Sequence, residues 1–172
     1  GQGQEPLERK LGLRLKLRAP ANHAKLERRA SALEYDDRPR HSESDILPTQ
    51  IRDGRDTRTS VMVRNIPKAC SRESFEGMLT RCGLLEKVTF LYMPFDKRHS
   101  NHCCIAFVNL MSPQDVLLLY YAMRSKVWRS LPGIREGLRP KVSYSRLQGQ
   151  EKLTKHFRVS AFSRDEEILE KP

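Results

Sequence analysis

The side chains best suited to chemistry in this sequence lie together, between positions 99 and 104. The set comprises His99, His102, Cys103 and Cys104. Imidazole nitrogens and thiolate sulfurs are ordinary zinc ligands, but structural zinc sites usually take pairs of ligands from two separated segments. All four donors here belong to one short segment. We therefore expect a polar loop that runs into a strand, without a metal site.

Catalytic motifs do not appear elsewhere in the chain. The sequence contains no Gly-x-x-x-x-Gly-Lys phosphate loop, no Gly-x-Ser-x-Gly nucleophile elbow and no His-Glu-x-x-His metalloprotease motif. Its other His, Cys and Ser residues are scattered without a spacing that catalysis would need. We expect no catalytic residues and no enzymatic activity.

Residues 101–110 alternate in a way that predicts a strand, because successive strand side chains point to opposite faces of a sheet. The face suited to a core carries Cys104, Ala106, Val108 and Leu110. The other face carries Cys103, Ile105, Phe107 and Asn109. This strand is expected to have one buried face and one open face.

The elements around this strand predict an α+β, ferredoxin-like fold. The predicted strands cover residues 61–66, 88–93, 101–110 and 141–145, and the predicted helices cover residues 71–83, 112–124 and 150–158. Ser71 and Ser112 are suitable helix caps, and Gly83 is a suitable helix end. The order βαββαβ is the split βαβ arrangement, here with an extra C-terminal helix. Four antiparallel strands would bury one face against two helices and leave the other face open.

Composition divides the chain into three parts. Residues 1–57 form a predicted disordered basic leader, residues 58–158 the domain, and residues 159–172 a frayed acidic tail. The net charge of +11 favours a polyanionic partner. No apolar run reaches about 18 residues, so we expect no transmembrane helix and no membrane partner. Adjacent cysteines on opposite strand faces argue against disulfides and favour a reducing, intracellular compartment, the nucleus or the cytoplasm.

Several stretches resemble the RNA recognition motif. Ala106-Phe107-Val108 resembles its octamer signature, and residues 61–66 stand where it carries its hexamer signature. Residues 59–158 are most similar to the C-terminal RNA recognition motif of the Mei-two-like family of meiosis and development regulators. That similarity is carried by residues 59–67, Phe90–Asp96, Ala106–Asn109, Ser112–Gln114, Lys126–Trp128 and Tyr144–Gly149. The resemblance implies single-stranded RNA binding in post-transcriptional regulation, without enzymatic activity or a cofactor.

The resemblance also indicates where bases would stack. RNA recognition motifs usually stack two or three bases on aromatic side chains of the open sheet face. The corresponding positions are Met62, Ile105 and Phe107, of which only Phe107 is aromatic. Spacing from Gly83 places Phe90 on the core side, with Thr89 and Leu91 on the open face, so that neither Phe90 nor Tyr92 adds a stacking platform.

Basic residues concentrate in the second half of the predicted domain. Residues 124–158 hold ten Lys and Arg against two Glu, a net charge of +8. We expect contacts with bases or phosphates from the sheet edge by Arg64, Lys141, Ser143, Ser145 and Arg146. Long-range steering of the RNA backbone is expected from Lys97, Arg98, Arg129, Lys152 and Lys155.

Three questions stay open at this point. The aromatic-poor open face also suits a protein-interaction module, with a protein partner on the sheet or on the C-terminal helix. Leu153 and Phe157 of that helix predict either a fixed packing face or a cover that RNA displaces from the sheet. Trp128 suits an anchor of the loop after residue 125 better than a stacking platform.

Overall fold

A computed structural model describes residues 42–96, 101–163 and 166–172. The helices are α1 (Pro48–Arg52), α2 (Arg72–Arg81), α3 (Pro113–Arg124) and α4 (Gln150–Ser163). The strands are β1 (Ser60–Arg64), β2 (Val88–Tyr92), β3 (Phe95–Asp96), β4 (Asn101–His102), β5 (Ala106–Leu110), β6 (Lys141–Tyr144) and β7 (Leu169–Glu170). Short 3₁₀ turns cover Leu85–Lys87 and Val127–Ser130. Expectations for residues 1–41, Lys97, Arg98 and His99 lie outside the described residues.

The main sheet is antiparallel throughout, with the strand order β6-β1-β5-β2-β7. Its first four strands correspond to the four predicted strands, and α2 and α3 occupy the predicted crossover positions. The ferredoxin-like α+β prediction is therefore confirmed. β7 adds a strand that the sequence did not predict, and β3 pairs with β4 in a separate small hairpin. No helix among the described residues is long and apolar enough to cross a membrane.

One face of the sheet packs against α2 and α3. Both helices begin at the predicted caps, where Ser71 Oγ accepts a hydrogen bond from the Ser74 N–H (3.1 Å) and Ser112 Oγ accepts one from the Asp115 N–H (3.3 Å). The core formed there includes Val61, Val63, Phe75, Met78, Leu79, Ala106, Val108, Val116, Leu119 and Met123. The predicted core face of β5 is thus confirmed for Ala106, Val108 and Leu110.

The predicted strand 101–110 is wrong as a single strand. Cys104 has a positive φ of 63°, a backbone conformation that cannot continue a pleated strand. The Cys104 carbonyl instead accepts a hydrogen bond from the Ile66 N–H (3.1 Å). Residues before the break pair as β4 with β3, and the main-sheet strand β5 begins only at Ala106.

A β-bulge in β2 overturns the predicted orientation of Phe90. Val88 lies opposite Leu110, but Phe90 lies opposite Asn109, so β2 contains one extra residue relative to β5. Side chains beyond the bulge therefore exchange faces. Leu91 joins the core, whereas Phe90 and Tyr92 lie on the opposite face in one cluster with Phe107.

Segments assigned to the leader and the tail take part in the folded domain. Ile46 and Ile51 join the main core, and the Tyr144 N–H of β6 donates to the Ser44 carbonyl (2.7 Å). At the other end, α4 continues past residue 158 and buries Ala161, and β7 follows it. These segments were missed because each contributes only a few apolar residues, too few to give a periodic pattern.

The link between β6 and α4 is fixed by Gln148. Its Oε1 accepts from the N–H groups of Thr59 (3.2 Å) and Ser60 (3.0 Å), and its Nε2 donates to the carbonyls of Ser60 and Ser145 (both 2.8 Å). Gly149 follows with a positive φ of 93°, which glycine adopts at little cost. One amide side chain thus ties the start of β1 to the turn that directs α4 back over the sheet.

Candidate nucleic-acid interface

α4 covers part of the sheet face that lies away from α2 and α3. Leu153 and Ala161 are buried there, and Phe157 is half-buried. They pack in one apolar cluster with Phe90 and Tyr92 of β2. The β2 side of the face is therefore closed by the helix.

Phe157 is the centre of the aromatic contacts on this face. Its ring centroid lies 4.5 Å from that of Phe107, 5.0 Å from that of Tyr92 and 6.4 Å from that of Phe90. The sequence interpretation of an aromatic-poor face is thus wrong, because the bulge brings two β2 aromatics to it. Phe90 and Tyr92 are buried, however, whereas Phe107 stays half-buried at the border of the covered area.

The segment after α4 holds this helix in place. Glu166 accepts hydrogen bonds from the Tyr92 hydroxyl and from the Phe95 N–H (2.9 Å). Beyond β7, Lys171 Nζ donates to the Leu85 carbonyl (2.7 Å), and Gln150 Nε2 donates to the Lys171 carbonyl (2.7 Å). The cover over β2 is therefore anchored at both of its ends.

Beside α4, over β1 and β6, the same face forms a groove of about 580 Å³. Its lining comprises Ser44, Met62, Arg64, Phe107, Ser143, Tyr144, Ser145, Arg146, Leu147, His156 and Phe157. Strand register brings the parts together, since Met62 lies opposite both Phe107 and Ser143. We call this depression the sheet groove.

Six of the thirteen predicted site residues line the sheet groove: Met62, Arg64, Phe107, Ser143, Ser145 and Arg146. Among them, Arg64 and Arg146 are exposed. Ser143 and Ser145, whose hydroxyl groups can form hydrogen bonds, are buried. Lys141 is exposed and pairs with Arg64 in the strand register. No Asp or Glu is among the described residues that line the groove. An apolar, partly aromatic base with a cationic rim can hold a nucleobase together with its phosphate.

The other predicted site residues lie elsewhere. Ile105 precedes β5 and does not line the groove, and Lys155 lines a separate depression on α4. Arg129 lies in the 3₁₀ turn that contacts α2 and α3, with its guanidinium carbon 5.8 Å from the Trp128 ring centroid. Lys152 is exposed on α4. Trp128 itself packs against the main core, which confirms it as a loop anchor.

Sequence reasoning missed Leu147 and His156 of the groove lining, and it named Phe157 only as a packing residue or as part of a cover over the sheet. The i, i+4 pair of Leu153 and Phe157 did signal a packing face. Its position over the sheet depends on the turn that Gln148 holds, and that turn is not visible in any periodic pattern.

Behind the sheet groove, β6 is supported by a charged pair. The Arg58 guanidinium group lies over the Tyr144 ring, with 3.8 Å between its carbon and the ring centroid. Its Nη2 also donates a hydrogen bond to Asp56 Oδ2 (2.7 Å). Hydrogen bonding from Arg58 lowers the pKa of Asp56, while burial raises the pKa of Tyr144 to about 12. Tyr144 therefore stays neutral and acts as a packing residue.

No metal chemistry is indicated by the described residues. They contain no group of three His, Cys, Asp or Glu side chains placed to hold an ion. Burial raises the pKa of Cys70 to about 11, which keeps that thiol unreactive.

Comparison with known proteins gives related sequences across this domain. The chain is 29% identical over 119 residues to Protein MEI2-like 2 of Oryza sativa subsp. japonica, covering 68% of this chain and 13% of that protein. It is 32% identical over 127 residues to the Protein terminal ear1 homolog of Oryza sativa subsp. indica, covering 64% of this chain and 18% of that protein. The chain thus spans less than a fifth of the length of these relatives.

Among solved structures, a similar chain is the one described as the Rna15 RRM with bound RNA (GU). It is 17% identical, with a TM-score of 0.41, and the match covers 58% of this chain and 96% of that one. The family model described as RNA recognition motif 2 matches residues 58–158, more than half of the chain. The register, the helix order and this match lead to one conclusion: the chain belongs to the RNA recognition motif 2 family.

Proposed function

We propose that this domain binds single-stranded RNA in the sheet groove and performs no catalysis. The observation that carries the proposal is the groove itself, where Phe107 borders an apolar base and Arg64 and Arg146 supply exposed positive charge. Unpaired bases stack on aromatic rings, and their phosphates bind guanidinium groups. Membership of the RNA recognition motif 2 family supports the same function.

The six predicted residues that line the sheet groove, and three lysines outside it, have separate roles in this proposal. Phe107 stacks one base, and Met62 beside it covers that base by apolar contact. The hydroxyl groups of Ser143 and Ser145 at the groove base hydrogen-bond to base edges. Phosphates bind the three exposed cations Arg64, Lys141 and Arg146, while Lys152 and Lys155 attract RNA at longer range.

The biological setting follows from the relatives and is part of the proposal. Proteins with MEI2-like names are similar to this chain, which suits a post-transcriptional regulator of the Mei-two-like type, acting in the nucleus or the cytoplasm. Because those relatives are much longer than this chain, the proposal concerns RNA binding by this domain alone. A protein-interaction role is less well supported, because α4 already occupies the Phe90 and Tyr92 part of the face.

A binding assay tests the proposal directly. Sequences selected from randomised single-stranded RNA should bind the wild-type chain, and Arg64→Ala/Arg146→Ala should weaken that binding at least tenfold. The charge-matched control Lys87→Ala/Lys126→Ala removes two exposed cations that do not line the groove and should change the affinity little. Selection of no binding RNA, or equal losses in both double variants, would overturn the proposal.

A further inference from the structure

A second depression lies at the end of β1, next to the sheet groove. It has a volume of about 540 Å³ and is lined by Asn65, Ile66, Pro67, Lys68, Ala69, Cys104, Gly133, Ile134, Arg135 and Leu138. Consecutive residues line the two depressions, since Arg64 belongs to the sheet groove and Asn65 to this one. We call it the β1-end cavity.

The lining of the β1-end cavity combines apolar surface with positive charge. Ile66, Pro67 and Ile134 contribute apolar surface, and Leu138 leaves 49% of its area exposed there. Lys68 and Arg135 are exposed, and the described residues that line the cavity include no Asp or Glu. This is the same pairing of apolar base and cationic rim as in the sheet groove, and it suits a nucleobase with its phosphate.

Two residues with an unfavourable backbone conformation line this cavity. Asn65 (φ 61°) and Cys104 (φ 63°) are the two described non-glycine residues with positive φ, and both line it. Positive φ is unfavourable for most L-residues, although less so for Asn, and strained residues cluster at functional sites, where the surrounding structure maintains them. Here Asn65 Nδ2 donates to the Arg139 carbonyl (3.4 Å), and the Ile66 N–H donates to the Cys104 carbonyl (3.1 Å).

Gly133 closes one wall of the cavity. Its φ is +77°, and a Cβ added to it would lie 2.9 Å from the Ala69 Cβ, closer than real side chains allow. The turn at residue 133 therefore fits against the β1–α2 loop only with glycine at that position. The cavity shape is set by this contact.

We propose that the β1-end cavity binds a further nucleotide of the same RNA strand that occupies the sheet groove. The strand leaves the groove past Arg64 and Lys141, which are paired in the register of β1 and β6. Its next phosphate binds Lys68 and Arg135, and the attached base lies against Ile134 and Leu138. This inference rests on the proposed function of the sheet groove and extends it from the sheet to the loop before β6.

Oligonucleotide length tests the inference. A selected RNA is trimmed to the shortest length that keeps groove binding and is then extended by about three nucleotides at its 5′ end or at its 3′ end. Extension at one end should lower the Kd by about tenfold, the gain expected from apolar contact of one base with Ile134 and Leu138 and from one phosphate contact. Extension at the other end should have little effect, because only one end of the strand faces the cavity.

Variants of the cavity lining test whether the higher affinity of the extended RNA comes from the β1-end cavity. Lys68→Ala/Arg135→Ala should remove the gain from the extended RNA and leave binding of the short RNA unchanged. The slope of log Kd against log salt should also fall by about 0.7 for the extended RNA, because one phosphate contact is lost and each such contact with a single strand contributes about 0.7. The control Lys87→Ala/Lys126→Ala should leave the gain intact.

Cys104 provides a local reporter of occupancy. In a Cys103→Ser background, alkylation at Cys104 is followed by mass spectrometry, while the buried Cys70 stays unreactive. The extended RNA should protect Cys104, and the short RNA should not.

The outcomes separate the two proposals. If neither RNA binds, the proposed function is wrong, and so is the inference that rests on it. If both RNAs bind with equal affinity, or if the gain survives in Lys68→Ala/Arg135→Ala, the inference alone is overturned. Protection of Cys104 by the short RNA also contradicts it, because the groove and the cavity would then not be separate subsites.

Discussion

Phe107 occupies the border between the covered and the open parts of the sheet face. Its ring lies 4.5 Å from that of Phe157, yet the residue is only half-buried and lines the sheet groove. The same ring therefore packs against α4 and offers surface to a ligand. A substitution at this position acts on both, and the two effects need separate measurements.

Replacement of Phe107 should lower RNA affinity by about fivefold or more in both Phe107→Ala and Phe107→Leu, because one stacked base contributes roughly 1–3 kcal/mol. Phe107→Leu keeps most of the packing against Phe157, so its unfolding free energy should stay closer to wild type. Fluorescence anisotropy with a labelled RNA gives the affinity, and urea unfolding gives the stability. Phe162→Ala, at a residue 87% exposed on α4, is the matched control. Wild-type affinity in Phe107→Leu would mean that the ring does not stack a base.

Asp56 makes the stability of the domain depend on pH. Its carboxylate accepts hydrogen bonds from Arg58 Nε (3.0 Å) and Nη2 (2.7 Å), which lower its pKa below the usual 3.8. A group with a lowered pKa in the folded state stabilises that state above its ordinary pKa, and the contribution disappears as the pH falls through the folded pKa. Asp56→Asn should therefore lower the free energy of unfolding by about 1–2 kcal/mol at neutral pH, and by progressively less below about pH 4. Urea midpoints of both proteins across this range test this, and a pH-independent difference would contradict it.

At the scale of elements, the sequence predicted what local rules determine. Ser71 and Ser112 cap their helices, and the core face of β5 follows from simple alternation. Phe90 and Cys104 escaped prediction because each depends on an irregularity. One extra residue in β2 reverses side-chain orientation, and one positive φ ends a strand, and neither leaves a mark in a hydrophobic pattern.

The candidate site was predictable to the extent that it follows strand register. Met62, Ser143 and Phe107 meet because β6, β1 and β5 are neighbours in this fold. Arg129 was assigned to the RNA track from charge alone, and the structure places it by α2 and α3 instead. The number of charged residues in a stretch of sequence does not indicate on which face of the domain their side chains lie.

α4 acts either as a fixed wall of the sheet groove or as a cover that RNA displaces. The structure favours the wall, since Leu153 is fully buried beneath the helix and Glu166 and Lys171 anchor the segment that follows. Phe157→Ala should then lower the unfolding free energy by about 1–3 kcal/mol, as partial loss of aromatic packing does. It should also weaken RNA binding several-fold, because it removes one side of the groove.

If α4 is instead a cover that RNA displaces, Phe157→Ala should change the RNA affinity in the opposite direction. A displaceable cover would be released by Phe157→Ala, and RNA affinity would then increase while stability still fell. Val159→Ala, at a residue 75% exposed on α4, is a control that should change neither quantity. Anisotropy and urea unfolding on the three proteins distinguish the wall from the cover.

Considered as a whole molecule, the domain is larger than its sequence pattern indicates. The segment from Ser42 reaches the β6 edge and the main core, and the segment to Lys171 reaches β2 and the turn before it. Both additions lie at the sheet edges, where unpaired strand groups would otherwise be exposed. They leave the sheet groove and the β1-end cavity as adjacent depressions with cationic rims.

Salt dependence tests whether local or overall charge determines RNA binding. The whole chain carries +11, but the proposed phosphate contacts use only Arg64 and Arg146 of the sheet groove and Lys141, which is paired with Arg64 beside it. Three phosphate contacts predict a log–log salt slope of about −2 for a short RNA, or roughly 15-fold weaker binding at 200 mM than at 50 mM salt.

Replacing these three residues with Ala should bring the slope close to zero. The triple variant Lys87→Ala/Lys126→Ala/Arg129→Ala, which removes the same charge from exposed positions outside the groove, should keep nearly the full slope. Equal slopes in the two triple variants would show that net charge alone attracts RNA. A wild-type slope near zero would indicate a mainly apolar contact, such as a protein partner makes, because screening by salt acts on charges and hardly on apolar surfaces.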